Sequence, residues 1–104
     1  MSENKTIDEK IIEKISSSPK KSYVIFFVYG CPYCENSLAL LKQKNVPFKG
    51  YNINDIDGGM FKLLEVLNKN ASIIGFNSDH RTKPIIFYDG KFIGGYTELT
   101  KHLK

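Results

Sequence analysis

Residues Tyr23 to Tyr29 read YVIFFVY, seven apolar or aromatic side chains without a break. Side chains along a strand alternate between faces, so a run with no polar alternation asks to be buried on both sides. Such a strand needs cover above and below, and pairing partners beside it. A chain of 104 residues has room for one core of this kind, so residues 1–104 are read as a single domain. The remaining segments are therefore read as its partners and its cover. The run is also far below the ~20 apolar residues of a membrane span, and no other window approaches that length.

The cover is legible in order. Thr6 and Glu9 have capping-box spacing, and Ile7, Ile11, Ile12 and Ile15 follow at helical spacing. Ser16 to Pro19 ends that helix. After the central run, Gly30 breaks the strand. From Pro32 to about Lys44 the pattern is helical, with Cys34, Leu38 and Leu41 on one face and Asn45 as a stop. PFKGYNI, Pro47 to Ile53, alternates like a strand, and Met60, Leu63, Leu64 and Leu67 mark a third helix. A long polar loop is predicted from about Asn70 to Lys83, followed by the strand PIIFY. Asp89-Gly90 signals a tight hairpin, KFI pairs back, Gly94 and Gly95 end it, and Thr97 is placed to cap a short last helix. The order α-β-α-β-α-β-β-α gives an α/β fold. Its first two strands are parallel through a right-handed crossover and its last two form a hairpin, in a four-stranded mixed sheet with helices on both faces.

The chain's two cysteines, Cys31 and Cys34, both fall where the central strand hands over to the second helix. The first N–H groups of a helix lack internal partners and the dipole is positive there, so a Cys31 thiolate is stabilised and becomes a nucleophile. Cys34 lies about one turn later and is expected to be less exposed. An outer attacking thiol with an inner resolving one is what thiol–disulfide exchange requires. Two alternatives compete with this reading. The cysteines could be small buried hydrophobes. They could bind zinc, but the remaining candidate ligands, His80 and His102, match no structural zinc spacing and read as surface residues. No metal is expected. DIDGG, Asp55 to Gly59, lacks the later ligands of a calcium loop and reads as a turn.

The net charge of +4 is spread along the chain, and the densest spot, Lys20-Lys21, reads as a solvated turn. Nucleic acid and membrane are therefore not expected partners. The polar start MSENKTIDEK shows no secretory pattern, so the cytosol is the expected compartment. In that reducing setting a Cys-x-x-Cys reads as redox or metal chemistry.

The motif CPYC (Cys31 to Cys34), with RTKP (Arg81 to Pro84) and IGGYTEL (Ile93 to Leu99) downstream, resembles the dithiol glutaredoxins from about Tyr23 onward. The resemblance implies a thioredoxin-like fold with an additional N-terminal helix, a cis Pro84, and a monomer. It implies glutathione as reductant and co-substrate, and glutathionylated or disulfide-containing proteins as partners. Cys31 and Cys34 become the catalytic pair. Tyr33, Arg81, Thr82, Lys83, Pro84, Gly95, Tyr96 and Thr97 become the glutathione-binding set, with Arg81 suited to hold a carboxylate.

Three features depart from that pattern. Val28 stands where many relatives have a lysine, leaving Lys20, Lys21 or Lys83 to supply a cation. Thr97 stands where an acid is frequent, and the segment before Arg81 is longer than usual, either reshaping the groove or simply tolerated. Two other functions remain open: a carrier of a [2Fe–2S] cluster shared with glutathione between two monomers, which the proline after the first cysteine disfavours, and a thioredoxin-type reductant, which CPYC in place of CGPC disfavours.

Overall fold

The computed structural model describes residues 5–104 and centres on the strand Tyr23–Phe27 (β1). All five of its residues are buried. The sheet has four strands in the order β2-β1-β3-β4, with β2 at Phe48–Asn52, β3 at Ile85–Tyr88 and β4 at Lys91–Gly94. β1 runs parallel to β2 and antiparallel to β3, and β3 and β4 form the hairpin. Asp89 and Gly90 both adopt positive φ (54° and 80°), as a tight hairpin turn requires.

β1 is shorter than its apolar run. Phe27 is the last residue opposite β2, and β3 reaches only Phe26, so Val28 and Tyr29 have no strand to pair with. Tyr29 is exposed and lays its ring edge-on against Phe27 at 5.1 Å.

The helices are α1 (Ile7–Ser16), α2 (Pro32–Gln43), α3 (Gly59–Lys69), a single turn α4 (Ala71–Ile74) and α5 (Tyr96–His102). α1 starts with the predicted capping box: Thr6 Oγ1 accepts from the Glu9 N–H at 3.1 Å, and Glu9 Oε1 accepts from the Thr6 N–H at 2.9 Å. α2 stops at Lys44, with Asn45 in the left-handed region (φ 55°). Val24 and Phe26 face α1 and α3, while Tyr23, Ile25 and Phe27 face α2 and α5.

Three local expectations are corrected. Asn70 to Lys83 is not all loop: α4 lies within it, and Ile74 and Phe76 are buried. The stretch is too short for its apolar spacing to announce a helix. Ile53 leaves β2 for a 3₁₀ turn over Ile53–Asp55, capped by the Asn52 side chain accepting from the Asn54 N–H at 2.9 Å. The N-cap of α5 is Gly95 rather than Thr97, because Glu98 folds back and its Oε1 accepts the Gly95 N–H at 2.8 Å. Pro84 follows a cis peptide bond.

Candidate active site

The C-terminal end of β1 hands the chain through Gly30 to Cys31, the N-cap of α2, with extended backbone angles (φ −98°, ψ 113°). Cys31 Sγ accepts the backbone N–H of Cys34 at 3.3 Å. The sulfur occupies the place where a serine or aspartate oxygen commonly caps a helix. It thereby meets one of the unpaired donors at the positive end of the dipole. Both sides of the residue are tied down. The Glu35 carboxylate accepts from the Gly30 N–H at 2.9 Å, and the Glu35 N–H donates to the Cys31 carbonyl at 2.9 Å.

The two sulfurs are unlike. Cys31 is half-buried and reachable, whereas Cys34 is 0 % exposed, and both are free thiols. Burial pushes the Cys34 thiol up to about 12, the hydrogen bond with Cys31 adds to this, and the charge of Lys83 pulls less strongly the other way. Cys34 is therefore a neutral thiol at pH 7, enclosed by the apolar cluster of Ile25, Phe27 and Leu41.

A groove of about 250 Å³ abuts this helix start. Of the expected binding set it is lined by Tyr33, Thr82, Lys83, Pro84, Gly95, Tyr96 and Thr97. Tyr33 and Tyr96 make an aromatic wall, ring centroids 6.0 Å apart. Arg81 is exposed and does not line the groove, so the structure does not bring it to the others. Two larger hollows, about 380 and 420 Å³, flank α1 and contain neither cysteine.

His80 and Glu98 also line the groove, a placement the motifs CPYC and RTKP do not indicate. Glu98 was findable, since it stands three residues after Gly95 at capping spacing. Gly94 is what lets it fold back. At φ 135° a Cβ on Gly94 would sit 2.4 Å from Glu98 Cγ. The Gly95 N–H holds the Glu98 carboxyl below its ordinary range. His80 had no such signal. It is half-buried, a correction to its reading as a surface residue. His102 lies at the other end of the sheet, its Nδ1 2.6 Å from the Tyr23 hydroxyl and its ring 4.5 Å from that of Tyr88. His102 is thus far from the cysteines, and no three metal-ligating side chains converge among the described residues.

Of the three lysines considered as the missing cation, two are in the wrong place. Lys20 and Lys21 precede β1, and the Lys21 N–H donates to Asp89 Oδ1 at 3.0 Å, at the far end of the sheet from Cys31. Lys83 lines the groove, and its charge is felt at Cys34.

Comparison with known proteins agrees with this architecture. The family model described as Glutaredoxin matches residues 23–93. A probable glutaredoxin of Acanthamoeba polyphaga mimivirus is 50% identical over 93 residues, covering 89% of this chain and 88% of the relative. Glutaredoxin-1 of Gallus gallus is 33% identical over 88 residues, covering 84% of this chain and 79% of the relative. Among solved structures, the holo form of glutaredoxin C1 from Populus tremula x tremuloides superposes with a TM-score of 0.68 at 28% identity, over 91% of this chain and 83% of that one. A buckwheat glutaredoxin–glutathione complex gives 0.69 at 25% identity, over 92% and 78%. With its mixed sheet, flanking helices and N-terminal helix, the chain has the thioredoxin-like fold and belongs to the glutaredoxin family of thiol–disulfide oxidoreductases.

Proposed function

We propose that this chain is a glutathione-dependent oxidoreductase that reduces protein–glutathione mixed disulfides and protein disulfides through Cys31 and Cys34. The observation that carries the reading is the contrast between the two sulfurs: a reachable Cys31 Sγ capping α2 at 3.3 Å, with a fully buried neutral thiol one turn behind it. Cys31 thiolate attacks the glutathione sulfur of a mixed disulfide. A new S–S bond joins Cys31 to glutathione as the old one breaks, and the protein thiolate leaves and takes up a proton. A free glutathione thiolate then attacks the glutathione sulfur held on Cys31, freeing Cys31 as the thiolate and producing glutathione disulfide, so one glutathione thiol is consumed and the other half of the product comes from the substrate.

With a protein disulfide as substrate, Cys34 completes the step. It loses its proton, attacks Cys31, releases the second protein thiol and leaves an internal disulfide for glutathione to reduce. Burial keeps Cys34 from competing for the first attack, because the thiolate is the nucleophile and Cys34 is a thiol at neutral pH.

The groove supports glutathione as co-substrate. Its lining offers the γ-glutamyl end the backbone around Gly95 and the first turn of α5, an aromatic wall from Tyr33 and Tyr96, and the Lys83 cation toward the sulfurs. Arg81 stands exposed beside Thr82, outside the lining, and Lys83 is the cation that lines the groove.

The test is turnover of a glutathione mixed disulfide and of a protein disulfide by wild type, Cys31→Ser and Cys34→Ser. Cys31→Ser falls to background on both substrates. Cys34→Ser keeps the first activity and loses the second. An active Cys31→Ser protein overturns the assignment of the nucleophile, and a wild type reduced only by a flavoenzyme system overturns the dependence on glutathione.

A further inference from the structure

The segment between α4 and Arg81 is built rather than slack. Phe76 is buried and packs its ring against Phe92 at 4.9 Å, and Phe92 meets Phe87 at 5.8 Å. This anchors the segment to the sheet. Asn77 then folds the chain back: its side-chain Oδ1 accepts from the Asp79 N–H at 2.9 Å, and its carbonyl accepts from the His80 N–H at 2.9 Å. The turn delivers the His80 ring to the groove, where three groups converge on it. Its edge meets Phe92 at 5.1 Å, its Nε2 is 3.2 Å from the Pro84 carbonyl oxygen, and Gly95 lies directly against it. A Cβ at Gly95 would stand 3.3 Å from His80 Cε1 and 3.4 Å from the same Pro84 oxygen.

We propose that His80 is a positioning residue of the ligand groove: it donates from Nε2 to the Pro84 carbonyl and, by filling the space over Gly95, sets the separation between the wall at Lys83–Pro84 and the wall at α5. A carbonyl oxygen only accepts, so Nε2 carries the hydrogen. Thr82 and Lys83 lie on the short stretch between His80 and Pro84, so fixing both of its ends fixes the backbone a bound peptide would meet. The longer segment before Arg81 then has a function: it builds one side of the groove for the small thiol peptide. This deepens the glutathione reading above and rests on it.

The experiment measures kcat and KM of the full chain for a small glutathione mixed disulfide, with melting temperature alongside. His80→Phe keeps an aromatic ring against Phe92 and removes the donor. His80→Gln restores an N–H at similar reach. Losing one hydrogen bond predicts a KM rise of about 2- to 10-fold for His80→Phe, with kcat nearly unchanged, and recovery to within about 2-fold for His80→Gln. His80→Leu also removes the donor while still filling part of the space over Gly95, and a raised KM in it decides the matter should His80→Phe fold poorly. An unchanged KM in His80→Phe, or in His80→Leu where the former folds poorly, or a His80→Gln as weak as His80→Phe, overturns the role of His80. A wild type with no turnover of the glutathione substrate overturns the functional reading and this inference together, whereas a normal wild type beside an unaffected His80→Phe overturns the inference alone.

Discussion

The two faces of the sheet are built from alternate residues of the same strands, yet they do different work. On one face Val24, Phe26, Ile85 and Phe87 pack against Ile11 and Ile15 of α1 and Leu63, Val66 and Leu67 of α3. On the other, Tyr23, Ile25, Phe27 and Ile86 pack against Leu41 of α2 and Leu99 of α5, and the buried sulfur of Cys34 lies among them. The first face is almost wholly hydrocarbon. The second also has to present a thiol and one wall of a groove at its rim. Separating the bulk of the core from the chemistry lets the helix that carries the cysteines be shaped by reactivity, while α1 and α3 hold the strand in place. One chain of rings crosses the division: Phe92, packed with Phe76 and Phe87, touches His80 at the groove.

The division is broken or sharpened most forcefully by cutting one leucine from each face. Leu67 and Leu99 are both 0 % exposed. Leu67→Ala and Leu99→Ala each leave a cavity and cost about 2–5 kcal/mol of stability. A domain with about 5–15 kcal/mol in hand absorbs such a loss and stays largely folded. Urea unfolding reads the stability, and turnover normalised to folded protein reads the chemistry. Leu67→Ala leaves normalised kcat and KM at wild-type values. Leu99→Ala raises KM, because Leu99 holds α5 to the sheet and α5 carries Tyr96 and Thr97 into the groove. Equal effects of both substitutions on KM would show that the faces are not functionally separate.

A smaller effect tests the first face alone. The reciprocal cap of α1, Thr6 with Glu9, lies at the start of the helix that covers β1 from the side away from the cysteines. Thr6→Ala removes the acceptor for the Glu9 N–H and lowers stability by about 0.5–2 kcal/mol. Thermal unfolding measures the loss. Catalysis at a temperature where both proteins are folded stays the same, and a changed KM would mean that α1 communicates with the groove.

How much of this was readable in the sequence follows the range of the interactions involved. The α1 cap, the stop at Asn45 and the Asp89-Gly90 turn depend on residues within a few positions of one another, and their signals lie in the local text. The place of Cys31 at the start of α2 is local in the same way. The end of β1 was not, because it is set by where β2 and β3 stop offering partners, and those strands are distant in the chain. Arg81 illustrates the limit of carrying a motif across by position: it sits beside Thr82 in sequence, yet it remains outside the groove. His80 shows the converse. Nothing near it in the sequence points to Gly95, and only the folded hairpin brings the two together. Glu98 lies between these cases, since its spacing from Gly95 was visible but its use depended on the left-handed Gly94.

The smallest expected effect concerns that same Glu98, at the rim of the second face. Its carboxylate accepts the Gly95 N–H at 2.8 Å, which holds its pKa below the ordinary value, with the charges of His80 and Lys101 adding to the effect and partial desolvation opposing it. A carboxyl depressed by folding contributes stability that is complete above its unfolded pKa, about 4.3. That contribution is lost as pH falls through the lower folded value. Glu98→Gln keeps an oxygen acceptor for the Gly95 N–H but removes the charge. The variant is therefore slightly less stable than wild type at pH 7, by well under about 1 kcal/mol because Glu98 is largely solvated. The gap narrows as pH falls below about 4.3 and the wild-type carboxylate takes up its proton. Other lowered carboxyls, Asp8 and Glu13 among them, titrate in both proteins and cancel in the difference. Paired urea titrations at pH 7, 5 and 3 measure it. A gap that holds constant across that range would mean that the charge on Glu98 contributes nothing to seating α5, leaving Leu99 and the backbone to position the groove's second wall.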